Sequence, residues 1–180
     1  MNEEAASSPR TFRIDADVMR GLEEEAKRQG ATVNGLTCRI LRKYIKIGTK
    51  LEQFCIISLP KNDLVELISP IDEKTMVKLA SSMGSSIAKE IVLQLYGDLT
   101  VPAFKLFLSM FVCGYANWAS YYEEENAGIL EIRLGHSLGE RWSLFLKNYL
   151  DAASVAVTGQ KPEFKYVSSY SIIFHIESGK

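Results

Sequence analysis

The stretch that decides the N-terminal fold covers residues 9–48 and reads PRTFRIDADVMRGLEEEAKRQGATVNGLTCRILRKYIKIG. In its first part, residues 10–14, polar and apolar side chains alternate with the period of a β-strand. The two faces of this segment carry the apolar pair Phe12 and Ile14 and the polar pair Thr11 and Arg13. The pattern predicts a short strand with an apolar inner face and a polar outer face.

Two helices are expected to follow this strand. Asp15 offers an N-cap for the first helix, and Gly30 supplies the left-handed residue that ends it. Thr32 then caps a second helix, which ends at Gly48. The apolar stripes of the two helices consist of Val18, Leu22 and Ala26, and of Leu36, Ile40, Tyr44 and Ile47, widened by Val33 and Leu41.

One strand and two helices in roughly forty residues cannot bury their apolar faces alone, since so small a unit rarely holds a stable core. A single short strand also lacks a partner for its backbone hydrogen bonds. Two copies related by a two-fold axis solve both problems, because their strands pair into an antiparallel ribbon and their helices close over it. The sequence therefore predicts a homodimer, and it leaves higher association open.

The pattern R-T-F-R-I-D-x-D-V-x-x-x-L-x-x-x-A-x-x-x-G-A-T-V-N, residues 10–34, resembles the ribbon-helix-helix regulators of the Arc and MetJ type. The resemblance covers residues 9–48, roughly a quarter of the chain. It implies a sequence-specific, dimeric transcriptional regulator of prokaryotic type that binds double-stranded DNA. In that family the β-ribbon enters the major groove, and the start of the second helix binds backbone phosphate.

The resemblance also implies which residues contact DNA. Thr11 and Arg13 take the positions of the base contacts, and an arginine can bind guanine through two hydrogen bonds. Many members of the family begin the second helix with a Ser-x-Ser-Glu-like sequence, where this chain has Thr-Val-Asn-Gly at residues 32–35. Phosphate binding then depends on backbone N–H groups and on the basic helix face. The expected backbone contacts are Thr32, Val33, Asn34, Arg39, Arg42 and Lys43, with Lys46 on the same basic face.

The charge distribution agrees with this interpretation. Residues 1–50 contain ten Lys and Arg against seven Asp and Glu, whereas residues 51–180 contain eleven against fifteen. Within residues 31–50 there are five basic side chains and no acidic one. A basic N-terminal patch on an otherwise acidic protein is typical of a small face that meets phosphate.

The composition changes after residue 53, and we expect an α+β fold with the following domains. Residues 1–8 form a disordered tail, residues 9–48 the ribbon-helix-helix domain, residues 49–53 a linker, and residues 54–180 an α+β sensor or interaction domain. This last domain combines a small sheet with about three helices. Its expected elements are a strand at Phe54 to Leu59, a short helix or loop at Pro60 to Ile71, helices at Asp72 to Gly97, Val101 to Glu124 and Leu138 to Val157, a polar turn at 123–128, and strands at Ile129 to Leu134 and Phe164 to Ile176.

The layout of this second domain is analogous to small-molecule sensing domains of regulators, such as the 4-vinyl-reductase type, although no motif residues carry the analogy. An aromatic series at helical spacing is most typical of a core, but it also fits a ligand pocket or a dimer seam: Phe104, Phe107, Phe111, Tyr115, Trp118 and Tyr122. A metal site built from His136, His175, Cys55 and Cys113 lacks zinc-type spacing, so we expect no metal and no cofactor.

No catalytic motif is present, and we expect no enzymatic activity. The first ten residues lack the features of a secretory leader, no segment suits a membrane span, and an odd number of cysteines argues against a disulfide framework. We therefore expect a cytoplasmic protein without a membrane partner.

The alternative function is an antitoxin-type interaction module that represses its own promoter, although antitoxin tails are usually disordered until they bind.

Overall fold

The computed structural model describes residues 9–49 and 59–179, with only the backbone of Lys46 and Ile47. The chain divides into two compact units, Met1–Thr49 and Lys50–Lys180. The predicted tail at residues 1–8 and nearly all of the predicted linker and of the strand at Phe54 to Leu59 lie outside the described residues.

The first unit contains the two predicted helices, α1 (Ala16–Arg28) and α2 (Val33–Lys43), and a π-helical turn at Tyr44–Gly48 continues α2. Asp15 occupies the N-cap position of α1, although its side chain makes no capping hydrogen bond. Thr32 caps α2 as predicted, since its hydroxyl accepts a hydrogen bond from the N–H of Gly35 at 3.0 Å. Gly30 has the predicted left-handed conformation, with φ of 60°.

The predicted strand at residues 10–14 is not a strand in the single chain, because residues 9–15 form no β-ladder. The first strand among the described residues begins at Ser120. A strand is stabilised by hydrogen bonds to a neighbouring strand, and one copy of this segment has no such neighbour. Phe12 and Ile14, which the pattern places inward, are 71% and 38% exposed.

The second unit has an α+β fold, as the sequence predicts. Its first helices are α3 (Lys61–Ile68), α4 (Glu73–Ser85) and α5 (Ile87–Tyr96). Next comes α6 (Val101–Leu106), which continues as a π-helical segment at Phe107–Tyr115. Helix α7 (Gly139–Thr158) lies between two β-hairpins.

The described part of the second unit contains one antiparallel sheet of four strands. They are β1 (Ser120–Asn126), β2 (Ile129–Gly135), β3 (Glu163–Val167) and β4 (Ser171–Glu177), in the order β1-β2-β4-β3. The predicted final strand at Phe164 to Ile176 is therefore two strands, which a turn separates. Alternate residues of the two central strands form a buried face of the sheet: Leu130, Ile132, Leu134, Ile172, Phe174 and Ile176.

The predicted single helix from Asp72 to Gly97 is broken at Ser86. Asp72 caps the first part through the N–H of Thr75, and Gly97 ends the second part with φ of 81°. The hydroxyls of Ser85 and Ser86 both donate to the carbonyl of Ser82, so they compete with the backbone hydrogen bonds of the helix. The break also shifts the buried stripe: Ile87 is 45% exposed, and Ala88 is fully buried instead.

The predicted helix from Val101 to Glu124 is wrong beyond Tyr115. Asn117 has a left-handed conformation with φ of 55°, and the chain then enters β1, which pairs along its length with β2. The polar turn expected at residues 123–128 is correspondingly shorter, since it consists of Ala127 and Gly128. Pairing with β2 in a hairpin thus overrides the helical tendency of the glutamates in this segment.

The expected aromatic series does not form one stripe. Phe104, Phe107 and Phe111 are buried and stack along the helical segment, with ring centroids 6.4 and 5.5 Å apart. Trp118 lies after the helix and packs against aromatic rings of α7, whereas Tyr122 lies on the exposed face of the sheet at 55% exposure. The series is therefore partly core and partly surface.

Within the described residues, no single helix combines the length and hydropathy needed to cross a bilayer. The segments Glu73–Tyr96 and Val101–Tyr115 meet those criteria only when they are taken together as a pair bent by 100°.

Candidate nucleic-acid interface

The two residues predicted to contact bases lie in the extended segment before α1. Thr11 and Arg13 are both exposed, and this segment is neither helical nor buried nor part of the described sheet. The side chains are therefore accessible to a ligand. Their neighbours Phe12 and Ile14 are also exposed, which leaves an apolar surface beside the polar one.

The N-terminus of α2, where the sequence predicts phosphate contacts, is capped by Thr32. The hydroxyl of Thr32 accepts from the N–H of Gly35, and the carbonyl of Thr32 accepts from the N–H of Leu36 at 2.9 Å. The first N–H groups of a helix, here those of Val33 and Asn34, have no acceptor within the helix, and they carry the positive end of its dipole. Both features favour an anionic oxygen at this position.

Arg39 belongs to a polar network that joins the two helices of the first unit. Its guanidinium donates to the side-chain oxygen of Gln29 at 2.5 Å, and the amide nitrogen of Gln29 donates in turn to Glu25. Arg28 also donates to both oxygens of Glu25, at 2.7 and 2.5 Å. The hydrogen bond from Arg28, followed by the one from Gln29, lowers the pKa of Glu25 to about 2. Because these groups are exposed, we expect the network to orient Arg39 more than it stabilises the fold.

The remaining predicted backbone contacts, Arg42 and Lys43, lie in the last turn of α2 and are exposed. Basic side chains in the last turn of a helix are also favoured by the helix dipole. The predicted contacts to the DNA backbone therefore extend along the whole of α2, from its N-cap at Thr32 to the basic residues of its last turn.

Large apolar side chains are unusually exposed in the first unit. Its described residues bury only two apolar side chains, Ala26 at 2% exposure and Leu36 at 3%. Seven large apolar residues of the same unit are between 38% and 71% exposed: Phe12, Ile14, Val18, Ile40, Leu41, Tyr44 and Ile45. So many large apolar side chains left exposed on so small a unit are typical of a surface that another protein chain covers.

Among the titratable groups singled out in the second unit, His136 and Cys113 line the same cavity, whereas His175 lies elsewhere. His136 contacts Ser143, and His175 lies 2.7 Å from Glu131 on the exposed face of the sheet. Burial raises the pKa of the Cys113 thiol to about 12, so this thiol is a poor nucleophile. No three His, Cys, Asp or Glu side chains in the described part of the chain are placed to hold a metal ion, and Cys55 lies outside that part.

No protein-family model, curated protein or solved structure matched this chain.

Sequence reasoning missed the participation of Gln29, Glu25 and Arg28 around Arg39. The spacing of Glu25 from Arg28 and Gln29, three and four residues on, is a signal that these side chains share one helix face. Their link to Arg39 has no sequence signal, since it depends on the crossing of α1 and α2.

Proposed function

We propose that this protein is a dimeric, sequence-specific DNA-binding transcriptional regulator of the ribbon-helix-helix type. In the dimer, residues 10–14 of two copies pair as an antiparallel ribbon that lies in the major groove. The second unit senses a ligand, binds a partner or extends the dimer. A cytoplasmic location fits this function.

The observation that carries the proposal is the exposed apolar set of the first unit. A unit whose described residues bury only Ala26 and Leu36 among their apolar side chains has too small a core to be stable alone, because domains of this size usually need disulfides, metals or oligomerisation. In a dimer, the exposed apolar residues of one copy are buried against the same residues of the other. The second copy also gives residues 10–14 a strand with which to form backbone hydrogen bonds. Phe12 and Ile14 then turn inward, and Thr11 and Arg13 turn outward.

The polar surface supports DNA as the ligand of this dimer. The same unit combines an exposed arginine on the segment proposed to form the ribbon, a capped helix N-terminus suited to phosphate, and a basic end on α2. Backbone phosphate contacts supply affinity and register, and base-edge contacts supply specificity. The antitoxin alternative gains no support from a second unit with a well-buried core of its own.

The first test measures the mass of the purified chain in solution. We expect twice the chain mass of 20.2 kDa. Ile40→Gln places a polar group in the proposed interface, and we expect it to weaken the dimer by roughly 10- to 100-fold, since each copy loses buried apolar area. Ile87→Gln is the matched control: Ile87 is also helical and 45% exposed, compared with 48% for Ile40, but it lies in the second unit.

The second test selects bound fragments from a pool of genomic DNA. A dimer with a two-fold axis selects a site that contains two inverted half-sites. A monomer, equal effects of the two Ile→Gln variants, or DNA binding without any symmetric site would contradict the proposal.

A further inference from the structure

A cavity of about 690 Å³ lies in the second unit. It is formed by the end of the π-helical segment, the start of β1, the loop after β2 and Tyr170. π-Helical segments are rare, and single-turn ones frequently occur at functional sites. Asn117, on the cavity wall, has φ of 55°, a left-handed conformation that asparagine commonly adopts just after a helix. The volume falls in the range of small-molecule sites.

The described lining of this cavity is positively charged. It includes the ammonium of Lys61 and no Asp or Glu side chain. The Nζ atom of Lys61 lies 3.4 Å from the hydroxyl oxygen of Ser137, and one ammonium has three N–H donors. A neighbouring groove of about 720 Å³ differs, because Lys105 there lies 3.0 Å from Glu123 and Glu125 adds a further negative charge. The cavity at Lys61 is therefore the one suited to an anion.

His136, also on the wall, is held neutral by its contacts. The Ser143 hydroxyl donates its only proton to the carbonyl of Ser168 at 2.6 Å, so the Nε2–H of His136 donates to the oxygen of Ser143 at 2.9 Å. The Nδ1 atom accepts from the N–H of Leu138 at 3.3 Å. Both ring nitrogens are thus occupied, which leaves Lys61 to bind the charge of a ligand.

The apolar wall of the cavity includes Trp118, which neighbouring aromatic rings hold in place. Trp118 packs edge-on against Trp142 and Tyr149, with ring centroids 5.4 and 5.2 Å apart. The indole N–H of Trp142 donates to the carbonyl of Trp118 at 3.3 Å, which further restrains this segment. Tyr121 and Tyr170 add two more rings to the lining. Aromatic walls of this kind favour flat aromatic ligands.

We infer that this cavity binds a small aromatic carboxylate. The ring of the ligand lies against Trp118, and its carboxylate accepts hydrogen bonds from the ammonium of Lys61 and the hydroxyl of Ser137. This inference stands independently of the proposed DNA binding, since it concerns only residues of the second unit.

The test titrates the full chain with benzoate and 2-naphthoate, and with benzamide as the neutral counterpart. Calorimetry gives the affinities, and the indole N–H resonances of the two tryptophans report the location, because the chain has no other tryptophan. We expect both carboxylates to bind saturably, 2-naphthoate more tightly because of its larger ring area. We expect benzamide to bind about tenfold more weakly than benzoate, and the Trp118 resonance to shift on binding.

Two variants test which side chains bind the carboxylate of the ligand. Lys61→Gln is expected to weaken benzoate binding about tenfold and to remove the preference over benzamide, and Ser137→Ala is expected to weaken it less. Lys89→Gln, an exposed lysine of α5 outside the cavity lining, is the matched control and is expected to have no effect. The inference is overturned if neither carboxylate binds below about 10 mM, if benzamide binds as well as benzoate, or if Lys61→Gln and Lys89→Gln behave alike.

Discussion

Gly84 of α4 lies directly against the backbone carbonyl oxygen of Tyr149 in α7. A Cβ at residue 84 would meet this oxygen, and it would also lie 3.0 Å from the Cβ of Ala152 and 3.1 Å from the backbone nitrogen of Ala153. Two of these three neighbours are backbone atoms, which cannot move without shifting the helix. The close approach of α4 and α7 therefore depends on the absence of a side chain at this position.

Gly84→Ala is expected to destabilise the second unit by about 1–3 kcal/mol, because overpacking outweighs the gain in helix propensity. Urea unfolding followed by tryptophan fluorescence measures this change, since both tryptophans lie in the second unit. Ser82→Ala on the exposed side of the same helix is the control and is expected to change the free energy of unfolding little. If the urea midpoint of Gly84→Ala were unchanged, α4 and α7 could move apart without loss of stability, which would contradict this prediction.

The stability of the second unit is expected to decrease as pH falls below about 6.5, the ordinary pKa of histidine. Burial lowers the pKa of His136, and the charge of Lys61 lowers it further. The unfolded chain therefore binds a proton before the folded chain does. The free energy of unfolding is at its full value above the unfolded pKa and is lost as pH falls toward the lower folded pKa. Urea unfolding at a series of pH values from 7 to 5 measures this loss.

His136→Gln is expected to abolish the decrease over that range, and Lys61→Gln to reduce it. His175→Gln keeps His136 intact and should retain the decrease. The hydrogen bond from His175, and then that from Arg133, lower the pKa of Glu131. The contribution of Glu131 to the free energy of unfolding is therefore lost only in the acid range, below about 4.5. If His136→Gln retained the full decrease between pH 7 and 5, another group would be responsible for it.

Arg13→Ala tests base recognition and rests on the proposed function. We expect about 1–3 kcal/mol of discrimination to disappear at one base pair of each half-site, because a lost bidentate contact to guanine removes preference at that base. Binding curves on the selected operator and on base-substituted operators measure this loss. Arg20→Ala, an exposed arginine of α1, is the matched control and should leave base preference unchanged.

Arg42→Gln and Lys43→Gln test the phosphate contacts at the end of α2. Each change is expected to weaken specific and non-specific DNA binding alike, since phosphates carry no sequence information. The slope of log affinity against log salt concentration should become shallower by about 0.9 for each lost contact. Titrations between low and moderate salt on specific and random duplexes measure both quantities, and a loss confined to the specific duplex would contradict a backbone role.

Local patterns identified the ends of many elements correctly. The capping positions at Thr32 and Asp72, the left-handed glycines at positions 30 and 97, and the alternation in β2 all depend on neighbours within a few residues. Such short-range preferences can be read from sequence because the groups that satisfy each backbone position are close along the chain.

The amino-acid sequence alone determined an α+β chain with a strongly amphipathic N-terminal pair of helices, because hydrophobic period and capping chemistry act locally. Tertiary structure decided that residues after Asn117 join the sheet, and that Lys61, Trp118 and His136 line one cavity. These outcomes bring together residues that are far apart along the chain, such as Lys61 and Tyr170, which line one cavity from positions 109 residues apart, and such proximity leaves no periodic signal in the sequence.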